Sequence, residues 1–551
     1  MKKQFILSLF LLPFVAMGAK TIHKVVNPTY VGINEGTMKI ASVKTTEEAT
    51  VLTFQYPGEG FYQFAPNIHL VDEQGKHYEL IGQKGFSEDS LKNMKPMKKG
   101  KYELSFQPLP ANTRIFDFIE DFYSWTGTSY YGIRNEGTPF SVSNPLSHNE
   151  GENSFPDIDF KKDSVIIEGH IYDYNPETCK FKCVELSDLH YPTFKIYHGS
   201  DIYNKNVAQI DENGNFRLPV QTYGPTWTYL RLSSDGKERM GERFLPIMLY
   251  PNDQMNMGIY LSEGNCPQKV EYKSIKKKDF SKLMQSAPMM LTQLEYGNDS
   301  IRYGQMTNES IEKRFKDFDE LALYLSGKYG LNRTETEMLR SQLSVVVGID
   351  VMNLTSRVLY QKHNSSADDS EEEKQKKRKA WQESDSPYYG LVFSNIRATN
   401  NLFLAIPDWS RLLHCSRLAS IPRYDRIVRD FYVSSADYKN ENVKQFFNQR
   451  LNLIREWRQK GNNDAIFEHA CLLCSIQEMP YALGFRSPMD EEALKQFLPD
   501  RFQGISNIRE LFTHPSFVRL AGELLYEREK SLYQELEEAV KREKGQQDNK
   551  Q

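Results

Sequence analysis

A change of hydrophobic period near residue 275 constrains this chain more than any other feature. Upstream of it, apolar and polar residues alternate in short runs. Examples are Met38-Lys39-Ile40-Ala41-Ser42-Val43, Ala49-Thr50-Val51-Leu52-Thr53-Phe54 and Tyr102-Glu103-Leu104-Ser105-Phe106. A period of two suits strands with one buried face. Ile68 to Val71 and His77 to Leu80 flank the turn Asp72-Glu73-Gln74-Gly75 and read as a hairpin. Asp211-Glu212-Asn213-Gly214-Asn215 supplies a second hairpin turn, with Phe216-Arg217-Leu218 as its returning arm. Downstream the spacing is helical. Ile311, Phe315, Phe318 and Leu325 share a face, and Thr334 with Glu337 makes a capping box before Leu339, Leu343, Val346 and Val347.

The expected fold is therefore α+β and multidomain, with two antiparallel β-sandwich-like modules followed by a helical domain. The boundaries are a signal peptide at 1–19, a first β module at 20–145, a linker at 146–163 and a second β module at 164–268. A helical domain follows at 275–545, and a polar tail at 546–551. Within the helical part, 363–387 is charged and serine-rich and reads as a mobile loop.

Residues 1–19 carry Lys2 and Lys3, an apolar run broken only by Ser8 and Pro13, and the small residues Ala16, Gly18 and Ala19. This is the pattern of a secretory signal peptide, and it places the mature chain outside the cytoplasm. No second apolar run approaches the ~20 residues of a membrane span. Removing the two lysines takes the formal charge from -4 to -6. A mildly acidic, mixed surface argues against nucleic acid as a partner. With 6 cysteines in 551 residues, burial rather than disulfides must hold the fold together.

The candidate sites are few. Cys471-Leu472-Leu473-Cys474 has redox spacing, but the pair lies inside an apolar helical stretch, where buried thiols are inert and pack the core. Cys179 and Cys183 are either a structural disulfide or two free thiols. His469 cannot converge with Cys471 and Cys474 on one ion from one helix face, so no metal site is expected. Ser274 with Lys277 and Ser310 with Lys313 match a short S-x-x-K pattern without its supporting elements. Asp117, Glu120 and Asp121 are expected in turn and hydrogen-bonding roles. In the aromatic run from Phe116 to Tyr131, core filling is weighed against a peptide- or glycan-binding platform centred on Trp125, Tyr130 and Tyr131. No Walker loop, dinucleotide fingerprint or HExxH occurs, so no cofactor is expected.

Asn27-Pro28-Thr29-Tyr30, Glu48-Ala49-Thr50-Val51-Leu52, Gly75-Lys76-His77-Tyr78, Phe106-Gln107-Pro108-Leu109-Pro110, Phe116-Asp117-Phe118-Ile119-Glu120 and Gly132-Ile133 occur in this order. Together they resemble the N-terminal β domain of TlpA-like thioredoxin-family proteins exported by anaerobic Gram-negative bacteria. Asp211 to Phe216 and Tyr250-Pro251-Asn252-Asp253 are similar to the domain that follows, and the helical half to the family's helical insert. The family's Trp-Cys-x-x-Cys motif does not occur here. The resemblance implies an exported, non-catalytic binding or scaffolding body of the periplasm or outer cell surface. Its implied partner is a separate thioredoxin-like protein, or a peptide or glycan. The alternative is a thiol–disulfide oxidoreductase using Cys471 and Cys474.

Overall fold

Among the described residues the regular elements up to residue 274 are strands and those after it are helices, as the change of period requires. In this computed structural model the described residues lie between 20 and 406, with residue 541 in addition. Interruptions of four residues or more fall at 63–67, 87–94, 124–127, 136–162, 187–206, 235–242, 262–266, 276–279, 287–302 and 384–387. The expected signal segment, Trp125, His469, Cys471, Cys474 and the expected helices beyond 440 lie outside the described residues.

The chain divides into two compact units. The first comprises Met1–Tyr30, Thr37–Glu120 and Tyr130–Pro139; the second comprises Val31–Gly36, Asp121–Ser129 and Phe140–Gln551. The strands up to residue 134 are β1 (Thr21–Val26), β2 (Gly32–Asn34), β3 (Lys39–Thr46), β4 (Thr50–Tyr56), β5 (Gly60–Tyr62), β6 (His69–Asp72), β7 (His77–Lys84), β8 (Lys95–Met97), β9 (Gly100–Phe106), β10 (Ile115–Ile119) and β11 (Ser129–Arg134). A long antiparallel sheet runs in the order β1-β3-β4-β9-β7-β6-β10-β11. The β6–β7 hairpin forms as its sequence predicts, and Asp72 organises it. Asp72 Oδ1 accepts the backbone N–H groups of Gln74 and Lys76 at 2.9 Å each, and Oδ2 accepts the Tyr78 hydroxyl at 2.8 Å. Burial first, and that bond to the Asp72 carboxylate second, push the Tyr78 phenol well above the usual tyrosine range.

The second unit holds β12 (Asp163–Tyr172), β13 (Cys183–Leu186), β14 (Val207–Gln209), β15 (Asn215–Thr222), β16 (Thr226–Ser233), β17 (Arg243–Leu249), β18 (Asp253–Leu261) and β19 (Pro267–Ser274). They form two four-stranded sheets, β15-β12-β18-β19 and β14-β13-β16-β17. Val165, Ile167, Leu218, Val220 and Ile259 from the first share one buried core with Val184, Leu230, Leu232, Leu245 and Ile247 from the second. Each such side chain contributes roughly 1.5–3 kcal/mol when fully removed from water. Pro219 on β15 and Pro246 on β17 are tolerated because both strands are sheet edges, where a missing donor breaks no ladder.

Two details depart from expectation. The strands are not all antiparallel: β12 and β18 pair in parallel, from Val165 opposite Asp253 to Tyr172 opposite Tyr260. The Asp211–Asn215 turn does not close a hairpin within one sheet. It is a corner, receiving the chain from β14 in one sheet and delivering it to β15 in the other. Local turn chemistry is the same in both arrangements, so the sequence could not separate them.

The helices are α1 (Ser281–Ser286), α2 (Asn308–Tyr329), α3 (Arg333–His363), α4 (Glu371–Glu383) and α5 (Tyr389–Asn395), with a 3₁₀ turn at Asn401–Ala405. The face of α2 carrying Ile311, Phe315, Phe318 and Leu325 is buried, as its spacing predicts. The capping box of α3 lies two residues earlier than expected. The Asn332 side chain accepts from Glu335 N at 2.9 Å, and Glu335 accepts from Asn332 N at 3.0 Å. Gly330 ends α2 in the left-handed conformation, which leaves Asn332, a strong N-cap, at the entry to α3. Glu337 is thereby released into an ion cluster. Arg340 binds Asp319 through two nitrogens at 2.6 and 2.7 Å, and Arg397 donates to Glu337 at 2.7 Å.

The segment expected as a charged loop at 363–387 contains α4. Ser370 and Glu373 cap it reciprocally at 3.0 and 3.2 Å, and Glu371 to Glu373 sit at its positive end ahead of the lysines. Local capping and dipole pairing outweigh the polar composition that suggested a loop. Among the described residues α3 alone is long and apolar enough to cross a membrane by length and composition. Of its most apolar window, 69% is buried inside the protein, as in a core helix.

Candidate functional site

The outward face of the sheet β15-β12-β18-β19 gathers polar side chains into ordered rows. On β12, Val165, Ile167 and Ile171 are buried, which turns Glu168, His170 and Tyr172 to the other face. The strand register then sets their neighbours. Arg217, Glu168, Asn256 and Lys273 form one row, and Asn215, His170, Gly258 and Glu271 the next. Tyr172, Tyr260 and Lys269 make a third. An open groove of about 550 Å³ crosses the first two rows at β15, β12 and β18 and is lined also by Gln209 and Asp211. That volume lies within the ≈ 300–1,000 Å³ typical of small-ligand sites.

A chain of hydrogen bonds fixes the imidazole in this groove. Asp211 Oδ1 accepts the backbone N–H groups of Asn213 and Asn215 at 2.9 and 2.8 Å. Both of its oxygens also accept from Asn215 Nδ2, at 3.3 and 3.2 Å. A carboxylate only accepts, so the amide nitrogen faces Asp211 and the amide oxygen faces away. That oxygen lies 2.9 Å from His170 Nδ1. Nδ1 must therefore carry the proton, and in the neutral ring Nε2 keeps its lone pair. The bond from Asn215 N holds the Asp211 carboxyl below its ordinary range, with His170 a lesser cause.

Beside it, Glu168 is shared. Its Oε1 accepts from Arg217 Nε at 3.1 Å, and its Oε2 accepts from Gln254 Nε2 at 2.7 Å. The pair cancels formally, and the terminal nitrogens of Arg217 remain available on a side chain 59% exposed. The third row is an aromatic stack. The rings of Tyr172 and Tyr260 lie parallel at 4.3 Å, the His170 ring meets Tyr172 edge-on at 4.7 Å, and Lys269 Nζ covers the Tyr260 ring at 5.2 Å. Tyr260 also donates to Glu271 at 3.2 Å, and Lys269 donates to Glu271 at 2.6 Å. A hydrogen bond with Tyr172, followed by desolvation and the Glu271 carboxylate, pushes the Tyr260 phenol up to about 12. Lys269 holds the Glu271 carboxyl below its ordinary value.

The residues singled out from sequence lie elsewhere. Tyr130 and Tyr131 are 0% and 3% exposed, which corrects the expectation of a surface platform. The Tyr130 hydroxyl donates to the Met38 carbonyl, and its ring packs against Tyr30 and Phe118. Phe116, Phe118 and Tyr123 are buried as well. Trp125 and the Cys471/Cys474 pair lie outside the described residues. Cys179 and Cys183 are free and buried, with Cys183 Sγ 3.0 Å from Ser233 Oγ and the Cys179 thiol pushed up by burial. Asp117 takes the expected hydrogen-bonding role, accepting from Gly132 N at 2.8 Å. The Ser310 hydroxyl accepts from Thr307 N at 2.9 Å in the capping box of α2 and Lys313 pairs with Asp317 at 2.6 Å, so these two form no catalytic dyad. Among the described residues no three His, Cys, Asp or Glu side chains are grouped to hold a metal ion.

In the sequence Asn215 stands only as the end of a turn and Arg217 as part of its returning strand, and nothing singles out His170. The alternation Ile167-Glu168-Gly169-His170-Ile171 held the signal, because it turns Glu168 and His170 together away from the core. Comparison with protein-family models, with curated proteins and with solved structures finds no match to this chain.

Proposed function

We propose that this chain is an exported, non-catalytic binding or scaffolding protein of the periplasm or outer cell surface. In this reading its two β regions are sandwich-like modules, similar to the accessory region of TlpA-like thiol–disulfide proteins, and a helical domain follows them. The observation that carries the binding role is the groove on β12, β15 and β18. Amides, an imidazole, a guanidinium and carboxylates line it beside Phe216 and Met257, and the polar groups hold a ligand by hydrogen bonds. The sequence at 1–19 supports export.

The test combines fractionation with thiol chemistry on the full chain. Expressed in a Gram-negative host, the protein should reach the periplasm cleaved near residue 20. It should not catalyse reduction of a protein disulfide such as that of insulin. Reduction that disappears in Cys471→Ser and Cys474→Ser variants would overturn the proposal in favour of an oxidoreductase. A cytoplasmic, uncleaved product would remove the export part.

A further inference from the structure

We infer that the groove binds a neutral, hydroxyl-rich ligand, an oligosaccharide, with His170 Nε2 accepting a ligand hydroxyl and the Arg217 terminal nitrogens donating to another. The inference deepens the binding role proposed above and rests on it.

Three features select this class. First, the charges are already engaged. Arg217 is neutralised by Glu168, and the Asp211 carboxylate is occupied by four hydrogen bonds from Asn213 and Asn215. Among the residues that line the groove, an anionic ligand would meet two carboxylates for one shared guanidinium, and a cationic ligand would have to displace Arg217 from Glu168. Second, the apolar side chains of β12 point into the core, and the two apolar residues that line the groove, Phe216 and Met257, belong to that core and are each 4% exposed, so a peptide finds no open apolar pocket for its side chains on this face. Third, the free valences alternate in type. His170 Nε2 accepts, Arg217 donates, and Asn256 spends only its Oδ1, on Gln254 at 3.4 Å. Hydroxyl groups both donate and accept, and so satisfy all of these at once.

The aromatic stack limits affinity. Tyr260 stacks on Tyr172 and has Lys269 Nζ over its ring, and Tyr172 is covered on one face by Tyr260. Sugar stacking on these rings is therefore restricted, and hydrogen bonds supply most of the recognition. Asn215 does not need to touch the ligand. It is a positioning residue, because its amide relays the Asp211 charge into the choice of His170 tautomer.

The experiment uses the full chain and saturation-transfer NMR with hexasaccharides of glucose, mannose, xylose and N-acetylglucosamine. Hexagalacturonate and hexa-alanine serve as the anionic and peptide probes. At least one neutral hexasaccharide should bind, and His170→Ala and Arg217→Ala should each weaken it about five- to tenfold, the range for losing one hydrogen bond. Lys84→Ala, in the first unit, should leave binding unchanged. Histidine ring ¹⁵N shifts should show the Nδ1–H form for His170 in wild type, and a shift away from it in Asn215→Ala. This readout needs no ligand and survives if a binding variant folds poorly. The inference is overturned if no neutral probe binds, if hexagalacturonate or hexa-alanine binds in preference, if binding survives both alanine changes, or if His170 carries its proton on Nε2. In each of those cases export and the lack of disulfide reduction would stand unaltered, so the failure would belong to the ligand class alone.

Discussion

Phe118 and Tyr172 both occupy alternating strand positions, yet one is 0% exposed and the other 39%. Around Phe118 in the first unit, Phe54, Phe106 and Tyr130 lie with ring centroids 5.2, 6.1 and 6.3 Å away. Around Tyr172 in the second unit there is a single stacked partner, an edge-on histidine and solvent. The strand geometry is the same and the composition similar. The difference lies in whether the face is covered, and it separates aromatics that hold the fold from aromatics that border a groove.

The comparison is broken most directly by truncating the rings. Phe118→Ala should cost about 3–5 kcal/mol, as large aromatic deletions in a core do, whereas Tyr172→Ala should cost only about 0.5–1.5 kcal/mol for one aromatic pair. Denaturant unfolding of the two variants measures both, and equal losses would mean that the two clusters are not distinct in kind.

Two turn glycines sharpen the contrast at smaller cost. Gly75 and Gly214 have nearly the same backbone, with φ of 79° and 82°. A Cβ at Gly75 would meet nothing within 4 Å, but at Gly214 it would lie 2.6 Å from the Ile171 carbonyl oxygen. Gly75→Ala should therefore lose about 1–2 kcal/mol, the cost of a left-handed L-residue. Gly214→Ala should lose roughly 1–3 kcal/mol more, because the corner between the two sheets must shift. Midpoints of thermal unfolding should rank them in that order.

The smallest effects are ionic. The folded-state value of Glu271 is depressed, so its pairing with Lys269 stabilises above the ordinary carboxylate value of 4.5 and is lost as pH falls below it. The Tyr260 value is raised from 10.0 to about 12, so its contribution is complete below 10 and is lost as pH rises through 12. Both groups are exposed, and a carboxyl NMR titration and a phenolate absorbance titration read them better than unfolding does. Lys269→Met should return Glu271 toward its ordinary value, and Tyr172→Phe should do the same for Tyr260.

Much of the local structure was legible. The Asp72–Gly75 hairpin, the strand at Gly100–Phe106, the buried face of α2 and the Asp211–Asn215 turn all follow from spacing and turn chemistry. Asp117 kept its expected role. The candidate site was barely legible. Its parts come from β12, β15 and β18, which are separated by tens of residues and joined partly by a parallel pairing that no turn announces. The burial of Tyr130 and Tyr131 was equally hidden, because an aromatic strand looks the same whether its outer face is bare or covered.

The order of strands and then helices, the positions of the Asp72–Gly75 and Asp211–Asn215 turns, and the side chains that share a face of each strand could be read from the chain alone. These are short-range matters of backbone geometry and neighbouring residues. Long-range packing set which faces are covered, which sheets share a core, where the α3 cap falls, and that Asp211, Asn215 and His170 line up across the corner. Those outcomes depend on partners distant in sequence, and the free energy of burial is settled between faces rather than within a strand.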